Sequence, residues 1–198
     1  MFAQVIEGKA VSPEAMAQAG AAWEAQVRPV AVGFLGSTGG VAADGTAFLV
    51  ARFADRAAAE ANNARPEQTA WFEAHGATMF DGPPTFTESE DVDEFMGGGS
   101  DDAGFVQVTQ GRIADRAAMA DFEARTLDQL QAARPDLLGG LRIWHDGGRF
   151  TEVNYFTSEA EARANEATMG ETMGAEFAEY MGLVQVDRWI DLPEPFLQ

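Results

Sequence analysis

The sequence predicts an α+β fold built from two tandem βαββαβ repeats. Three observations carry this: a line of sequence that recurs 103 residues on, strand- and helix-period patterns in the same order around both copies, and one glycine-rich linker near the middle. "FAQVIEGK" at 2–9 lies over "FVQVTQGR" at 105–112. Compared without gaps, residues 2–17 and 105–120 agree at seven of sixteen positions, including Phe2/Phe105, Gln4/Gln107, Val5/Val108, Gly8/Gly111 and Met16/Met119, which composition alone does not supply. "FADRAAAEAN" at 53–62 matches "FTSEAEARAN" at 156–165 with the same offset and ends on Asn62/Asn165. The period is far longer than the roughly 20–50 residues of stacked repeat arrays, so it marks a duplicated domain. The first repeat is expected over 1–95, the linker "MGGGSDDA" over 96–103 and the second repeat over 104–198.

Each element has its own local cause. The two matched segments alternate apolar and polar residues as half-buried first strands do. Ser12 followed by Pro13 caps the first helix of copy one, and Asp115 caps that of copy two. Met16, Trp23 and Val27, then Met119, Phe122, Leu127 and Leu130, give these helices an apolar stripe. Arg28-Pro29 and Arg134-Pro135 stop them, at an offset of 106. Copy one is therefore expected to have a first helix three residues shorter and a following hairpin three residues longer. "VAVGFLG" and "TAFLVARF" read as strands split by a glycine-rich segment ending in Asp44-Gly45, and "LLGGLRIWH" and "RFTEVNYF" as strands split by Asp146-Gly147-Gly148. Second helices begin at Asp55 and Ser158; Pro66 interrupts one, Gly170 and Gly174 the other. "PTFTESE" and "LVQVDRWID" read as closing strands.

This order is the ferredoxin-like split βαβ arrangement, an antiparallel sheet with two helices on one face. The third strands carry bulky apolar residues, Phe48 and Val50 in one copy and Phe150 and Val153 in the other, on faces that helices alone do not cover. The other repeat is the natural cover, so the two sheets are expected to pack together.

Composition narrows the function classes. With 46% hydrophobic residues and 14 Phe there is enough apolar surface for a core, and no run approaches the roughly 20 apolar residues of a membrane span. The N-terminus lacks a signal-peptide pattern, so a cytoplasmic setting is expected. The absence of Cys removes disulfides, thiolate catalysis and the common zinc and iron–sulfur sites. A net charge of −19, with one lysine (Lys9), repels phosphate backbones and anionic lipids, so neither nucleic acid nor membrane is an expected partner. "ESEDVDE" at 88–94 holds five carboxylates but lacks the spaced ligands and turn glycine of a calcium loop, and reads as a solvated face. "GSTGG" and "GGGS" lack a Walker ending, and no GxGxxG opens a helix, so neither a cofactor nor a metal is expected.

The topology, with an aromatic residue ending the third strand, a short polar start to the next helix and a small residue, resembles the dimeric α/β barrel superfamily and, within it, the antibiotic-biosynthesis-monooxygenase-like proteins. There two ferredoxin-like units pair into a barrel; here they would be fused as a pseudo-dimer in one chain, with a homodimer as a further assembly. Phe53-Ala-Asp-Arg-Ala and Phe156-Thr-Ser-Glu-Ala fit the motif, but at the ninth position after the aromatic, where the family has a histidine, this chain has Asn62 and Asn165. "NNARPEQTAWFEAHGATMFDGPPTF" also resembles two-repeat proteins of high-GC bacteria.

The resemblance implies a cofactor-independent, monooxygenase-like or isomerase-like protein acting on a small aromatic or polyketide-type molecule. On that reading His75, or a bound water, takes a proton. Asn62, Asn165 and Arg52 hold the resulting anion, and Trp71, Trp144 and Tyr155 line the pocket. The bland alternatives are that each Asn ties off a backbone group, that Arg52 pairs with a carboxylate, and that the tryptophans, Trp23 and Trp189 included, are core residues. His145, at a hairpin tip, is the other histidine. Two other functions stand beside this one: a non-catalytic small-molecule-binding or stress-associated protein, and a haem protein resembling the chlorite dismutases, which would need an axial histidine.

Overall fold

The computed structural model describes residues 1–198. The strands are β1 (Phe2–Lys9), β2 (Phe34–Val41), β3 (Thr46–Phe53), β4 (Thr85–Ser89), β5 (Val92–Phe95), β6 (Phe105–Ile113), β7 (Leu137–Trp144), β8 (Arg149–Phe156), β9 (Val184–Leu192) and β10 (Phe196–Leu197). The α-helices are α1 (Pro13–Gln26), α2 (Arg56–Asn63), α3 (Pro66–Met79), α4 (Arg116–Ala133), α5 (Glu159–Thr172) and α6 (Gly174–Leu183). They form two five-stranded antiparallel sheets, ordered β10-β2-β3-β1-β4 and β5-β7-β8-β6-β9, so the α+β class and both ferredoxin-like repeats are present.

Two compact units result, residues 1–92 with 192–198, and residues 93–191. Each unit thus takes its fifth strand, β10 or β5, from sequence outside its own repeat.

Local signals act where the sequence places them. Ser12, Asp55, Asp115 and Ser158 each accept a hydrogen bond from the backbone N–H three residues on, at 2.8–3.3 Å. Pro66 separates α2 from α3, with Arg65 held extended before it (ψ 140°). In copy two the break falls at Met173 and Gly174, while Gly170 stays inside α5.

Two expectations change. The glycine-rich segment of copy one is strand, not loop: β2 runs through "FLGSTGGV". Gly39 makes this possible, since a Cβ there would lie 2.8 Å from Leu49 Cδ1 on the paired strand. The two hairpins are equally long, because β2 and β7 share the 103-residue offset of β3 and β8; the extra residues of copy one sit before β2, in a 3-10 turn at Arg28–Val30. The carboxylates of the acidic run are exposed, as a solvated face requires, and part of the run also forms β5, which pairs along β7 as an edge strand, where charged side chains are tolerated.

In each unit helix–sheet packing forms part of the core. Met16, Ala19, Trp71 and Met79 form one cluster in the first unit, and Phe2, Phe53 and Ala59 a second. In the second unit Met119, Phe122, Trp144 and Phe150 form one, and Phe105, Phe156 and Ala162 another.

Gly140, on β7, marks the tightest approach of an exchanged strand: a Cβ there would lie 2.0 Å from the Phe95 ring of β5. Gly140→Ala is therefore expected to destabilise the second unit by about 1–3 kcal/mol through overpacking. Urea denaturation measures this, and an unchanged midpoint would show that Phe95 is free to move aside.

Candidate functional site

A cavity of about 120 Å³ lies in the first unit, between the helices and the sheet. Strand periodicity sends Gln4 and Ile6 of β1, and Leu49, Ala51 and Phe53 of β3, to this one face. Helix α1 contributes Met16, Gly20 and Trp23, the broken second helix contributes Asn62, Gln68 and Trp71, and Phe196 and Gln198 come from the C-terminal strand. The wall holds five carboxamides (Gln4, Asn62, Asn63, Gln68, Gln198), one hydroxyl (Ser37) and no ionisable side chain.

Hydrogen bonds fix most of these groups. Trp71 donates its indole N–H to Ala19 O at 2.9 Å, tying α3 to α1. Trp23 donates to Gln68 Oε1 at 2.9 Å, and Asn62 Nδ2 makes a longer contact, 3.5 Å, with the same oxygen. Gln198 exchanges backbone hydrogen bonds with Ser37, at 2.7 and 3.0 Å, accepts from Ser37 Oγ at 3.1 Å and donates to Gly20 O at 3.2 Å. Asn62 is only 3% exposed, and its Oδ1 has no hydrogen-bond partner.

The strand registers identify the matching positions of the second repeat. Leu49 and Ala51 correspond to Glu152 and Asn154, Gly39 to Arg142, and Gly20, at the same distance from its N-cap, to Glu123. There a buried Arg142–Glu152 pair reaches out to a half-exposed Glu123. Arg142 bonds Glu152 Oε2 through Nε at 2.7 Å and Nη2 at 2.6 Å, and Glu123 Oε1 through Nη1 at 2.7 Å. Asn154 Nδ2 donates to Glu152 Oε1 at 3.0 Å. Burial alone would lower the Arg142 pKa, but the facing Glu152 and Glu123 carboxylates outweigh it and hold it above its ordinary value. Burial raises the Glu123 pKa in spite of Arg142, and burial, with the Glu152 charge, raises that of Tyr180. Ser37 corresponds to Gly140, over which the Phe95 ring lies, as Gln198 lies against Ser37.

Of the residues singled out from sequence, Asn62 and Trp71 meet at the cavity. His75 is half-buried one turn beyond Trp71, with ring centroids 6.1 Å apart, and does not line it. Arg52 points from the opposite face of β3, its guanidinium packed on Gly36. Asn165 donates to Asp136 Oδ1 at 2.7 Å; Arg134 holds Asp136 through two further bonds, so this amide ties α5 to the start of β7. Trp144 is a core residue, donating to Asp93 at 2.6 Å with Arg116 stacked 3.9 Å above it. Tyr155 is fully buried on the face of β8 opposite Glu152 and Asn154. His145 bonds Thr151 Oγ1 at 3.0 Å. Neither histidine lines the cavity, so no axial ligand is offered to a haem there. Nowhere does a group of three or more His, Cys, Asp or Glu converge that could hold a metal ion, and no helix is long and apolar enough to cross a membrane.

Sequence reasoning missed Gln68, Ser37 and Gln198. Only Gln68 carries a signal, lying just after the Pro66 break that turns α3 across the end of α2.

No protein-family model matches the sequence, and no curated protein matches it. Solved structures do match along the whole chain. A "putative monooxygenase" from Fusobacterium nucleatum superposes with a TM-score of 0.72 at 11% identity, covering 100% of this chain and 93% of that one. One described in the same words from Lactobacillus acidophilus gives 0.71 at 9% identity, covering 100% and 99%. An anthrone oxidase-like protein gives 0.52 at 13% identity, covering 99% and 92%. The chain therefore shares the fold of full-length two-repeat proteins.

Because Arg142 compensates a carboxylate that is almost fully buried, Arg142→Met is expected to cost about 3–5 kcal/mol, and adding Glu152→Leu to recover most of that. Denaturant midpoints of the three proteins decide it; equal losses in the single and double variants would show that the ion pair is not what holds this region.

Proposed function

We propose that the first repeat binds a small, uncharged, single-ring molecule in its cavity and that the protein acts on it as a monooxygenase-like enzyme. The observation that carries this is the divergence of matched positions: Gly20, Leu49 and Ala51 line an open space where the second repeat has the linked polar side chains of Glu123, Glu152 and Asn154, the first two held by Arg142. A cavity of about 120 Å³ is close to the roughly 150 Å³ known to admit benzene. That size supports one ring, smaller than the polyketide-type molecule the resemblance implies. Trp23, Trp71 and Phe34 offer ring faces, and the carboxamides supply neutral hydrogen-bonding groups that hold a polar substituent without titrating. The names of the two-repeat neighbours support oxygen transfer as the reaction type. His75 enters as a neighbour of the wall rather than a base within it.

A second reading, binding without turnover, draws support from the lack of any ionisable side chain in the lining.

Titration with single-ring aromatics, followed by NMR shifts of the indole N–H signals of Trp23 and Trp71, tests binding. Ala51→Leu, which adds three carbons to the wall, is expected to abolish those shifts while keeping the fold. Shifts that survive Ala51→Leu would move the site elsewhere. Oxygen consumption with a bound ring supports the enzyme, and binding without it supports the second reading.

A further inference from the structure

We infer that β10 is a strap that gates the cavity: the ligand enters and leaves as residues 196–198 lift off the edge of β2, turning about Pro193–Pro195. This rests on the cavity being the ligand site, and it goes further by assigning the way in.

The elements of the wall are held very unequally. β1 and β3 lie inside the sheet, each paired on both sides. α1 and α3 bury Met16, Ala19, Trp71 and Met79 together, and the Trp71 indole ties one helix to the other. β10 has two residues and one neighbour, β2. Phe196 pairs with Gly39 and Leu197 with Thr38, and beyond them Gln198 exchanges backbone hydrogen bonds with Ser37. Phe196, Leu197 and Gln198 are only half-buried. Pro193 and Pro195 carry no N–H, so the ladder gains no donor from either. A segment with so few backbone bonds and so little burial opens at a free energy far below that of the whole domain. Its opening takes Phe196 and Gln198 out of the wall while the sheet and helices behind them stay paired.

The strap has an anchor and a latch. Leu192, at the end of β9, is fully buried and would stand 3.1 Å from a Cβ on Gly40, so the chain is fixed just before the exposed Pro193 and Glu194. Gln198 is the latch: its Oε1 accepts from Ser37 Oγ at 3.1 Å and its Nε2 donates to Gly20 O at 3.2 Å, joining β2 to α1 beside the cavity. Both are bonds between neutral groups, which water replaces once the strap is off.

The corresponding strand of the second unit is held more firmly. At the 103-residue offset Phe95 stands for Gln198 and Asp93 for Phe196. Phe95 packs its ring on Gly140, and Asp93 accepts from Trp144 Nε1 at 2.6 Å. The chain then runs on, so that a Cβ on Gly139 would lie 2.4 Å from Gly98 O.

Hydrogen exchange tests the opening without any ligand. The Ser37 amide, which donates to Gln198 O, is expected to exchange roughly a hundredfold or more faster than the amides of Val5 and Val50 inside the same sheet. Equal protection overturns the strap whatever the cavity binds. The double variant Thr38→Cys, Leu197→Cys tests the gating. These two residues face each other between hydrogen-bonded pairs, where Cα atoms lie about 4.5 Å apart and a disulfide can form. Neither lines the cavity, and the chain has no other cysteine. Phenol is titrated at pH 7 into the oxidised and reduced forms, and rates are read from the line shapes of the Trp23 and Trp71 indole signals. In the oxidised form association and dissociation are both expected to slow by roughly tenfold or more, with Kd unchanged to within about twofold, because the lock closes the path and not the cavity. The reduced form should match the unsubstituted protein. Unchanged rates in the oxidised form overturn the gate and leave the cavity as a binding site entered elsewhere. A weaker Kd with an unchanged association rate also overturns it, since the disulfide has then deformed the wall without blocking entry. If phenol does not bind the unsubstituted protein, the cavity reading fails and the gate with it, even where Ser37 exchanges fast.

Discussion

The register of the two central strand pairs is the constraint on which the rest depends. Phe2 faces Phe53, Gln4 faces Ala51 and Ile6 faces Leu49 across β1 and β3; Phe105 faces Phe156, Gln107 faces Asn154 and Thr109 faces Glu152 across β6 and β8. A slip of one residue in either pair would send every one of these side chains to the other face. With the register held, both repeats deliver the same positions to the same place beneath their helices. The side chains at those positions then differ, Leu49 and Ala51 beside the cavity of the first repeat against Glu152 and Asn154 in the second.

The two outcomes have different energetics. In the second repeat a cation and its carboxylates stand there, an arrangement that roughly breaks even against an apolar core but is destabilised when one member is lost. In the first repeat the space stays open. An unmatched, buried Asn62 carbonyl costs about 1–3 kcal/mol there. A domain of this size holds only about 5–15 kcal/mol in total, so that cost is a real fraction of its margin.

Much of the fold was legible because its signals are local. The strands at 2–9, 46–53 and 149–156, the four N-caps and the break at Pro66 depend on alternation, a side-chain oxygen and a missing N–H, all of which stand in the sequence. What was not legible depends on partners far away. β2 is a strand because Gly39 lets Leu49 of the paired strand close against it, and β5 and β10 are strands because an edge of a sheet was free to take them. The site divides in the same way. Asn62 and Trp71 were readable as a polar and an aromatic group on the second helix, and the structure brings them together. Agreement between the copies did not carry over to environment, for Asn165 faces Asp136 and Arg134 whereas Asn62 faces Gln68. Gln198 joins the cavity through a strand pairing 161 residues from Ser37, which no pattern in the sequence announces.

Charge links the site to the whole chain. The protein carries −19, yet no side chain of the cavity wall is ionisable. An anionic ligand would meet an unfavourable field outside and no cationic side chain within, and an unpaired charge taken out of water costs far more than the cavity's apolar contacts return. A cation would be drawn to the surface by the same field, where the exposed carboxylates hold it, and the side chains inside are neutral. Exterior and interior thus filter in the same direction, towards molecules that are neutral when they enter. A phenol-type hydroxyl fits both filters, since with an ordinary value near 10 it stays protonated at neutral pH. It crosses the acidic surface uncharged and still brings a hydrogen for the neutral polar side chains of the wall.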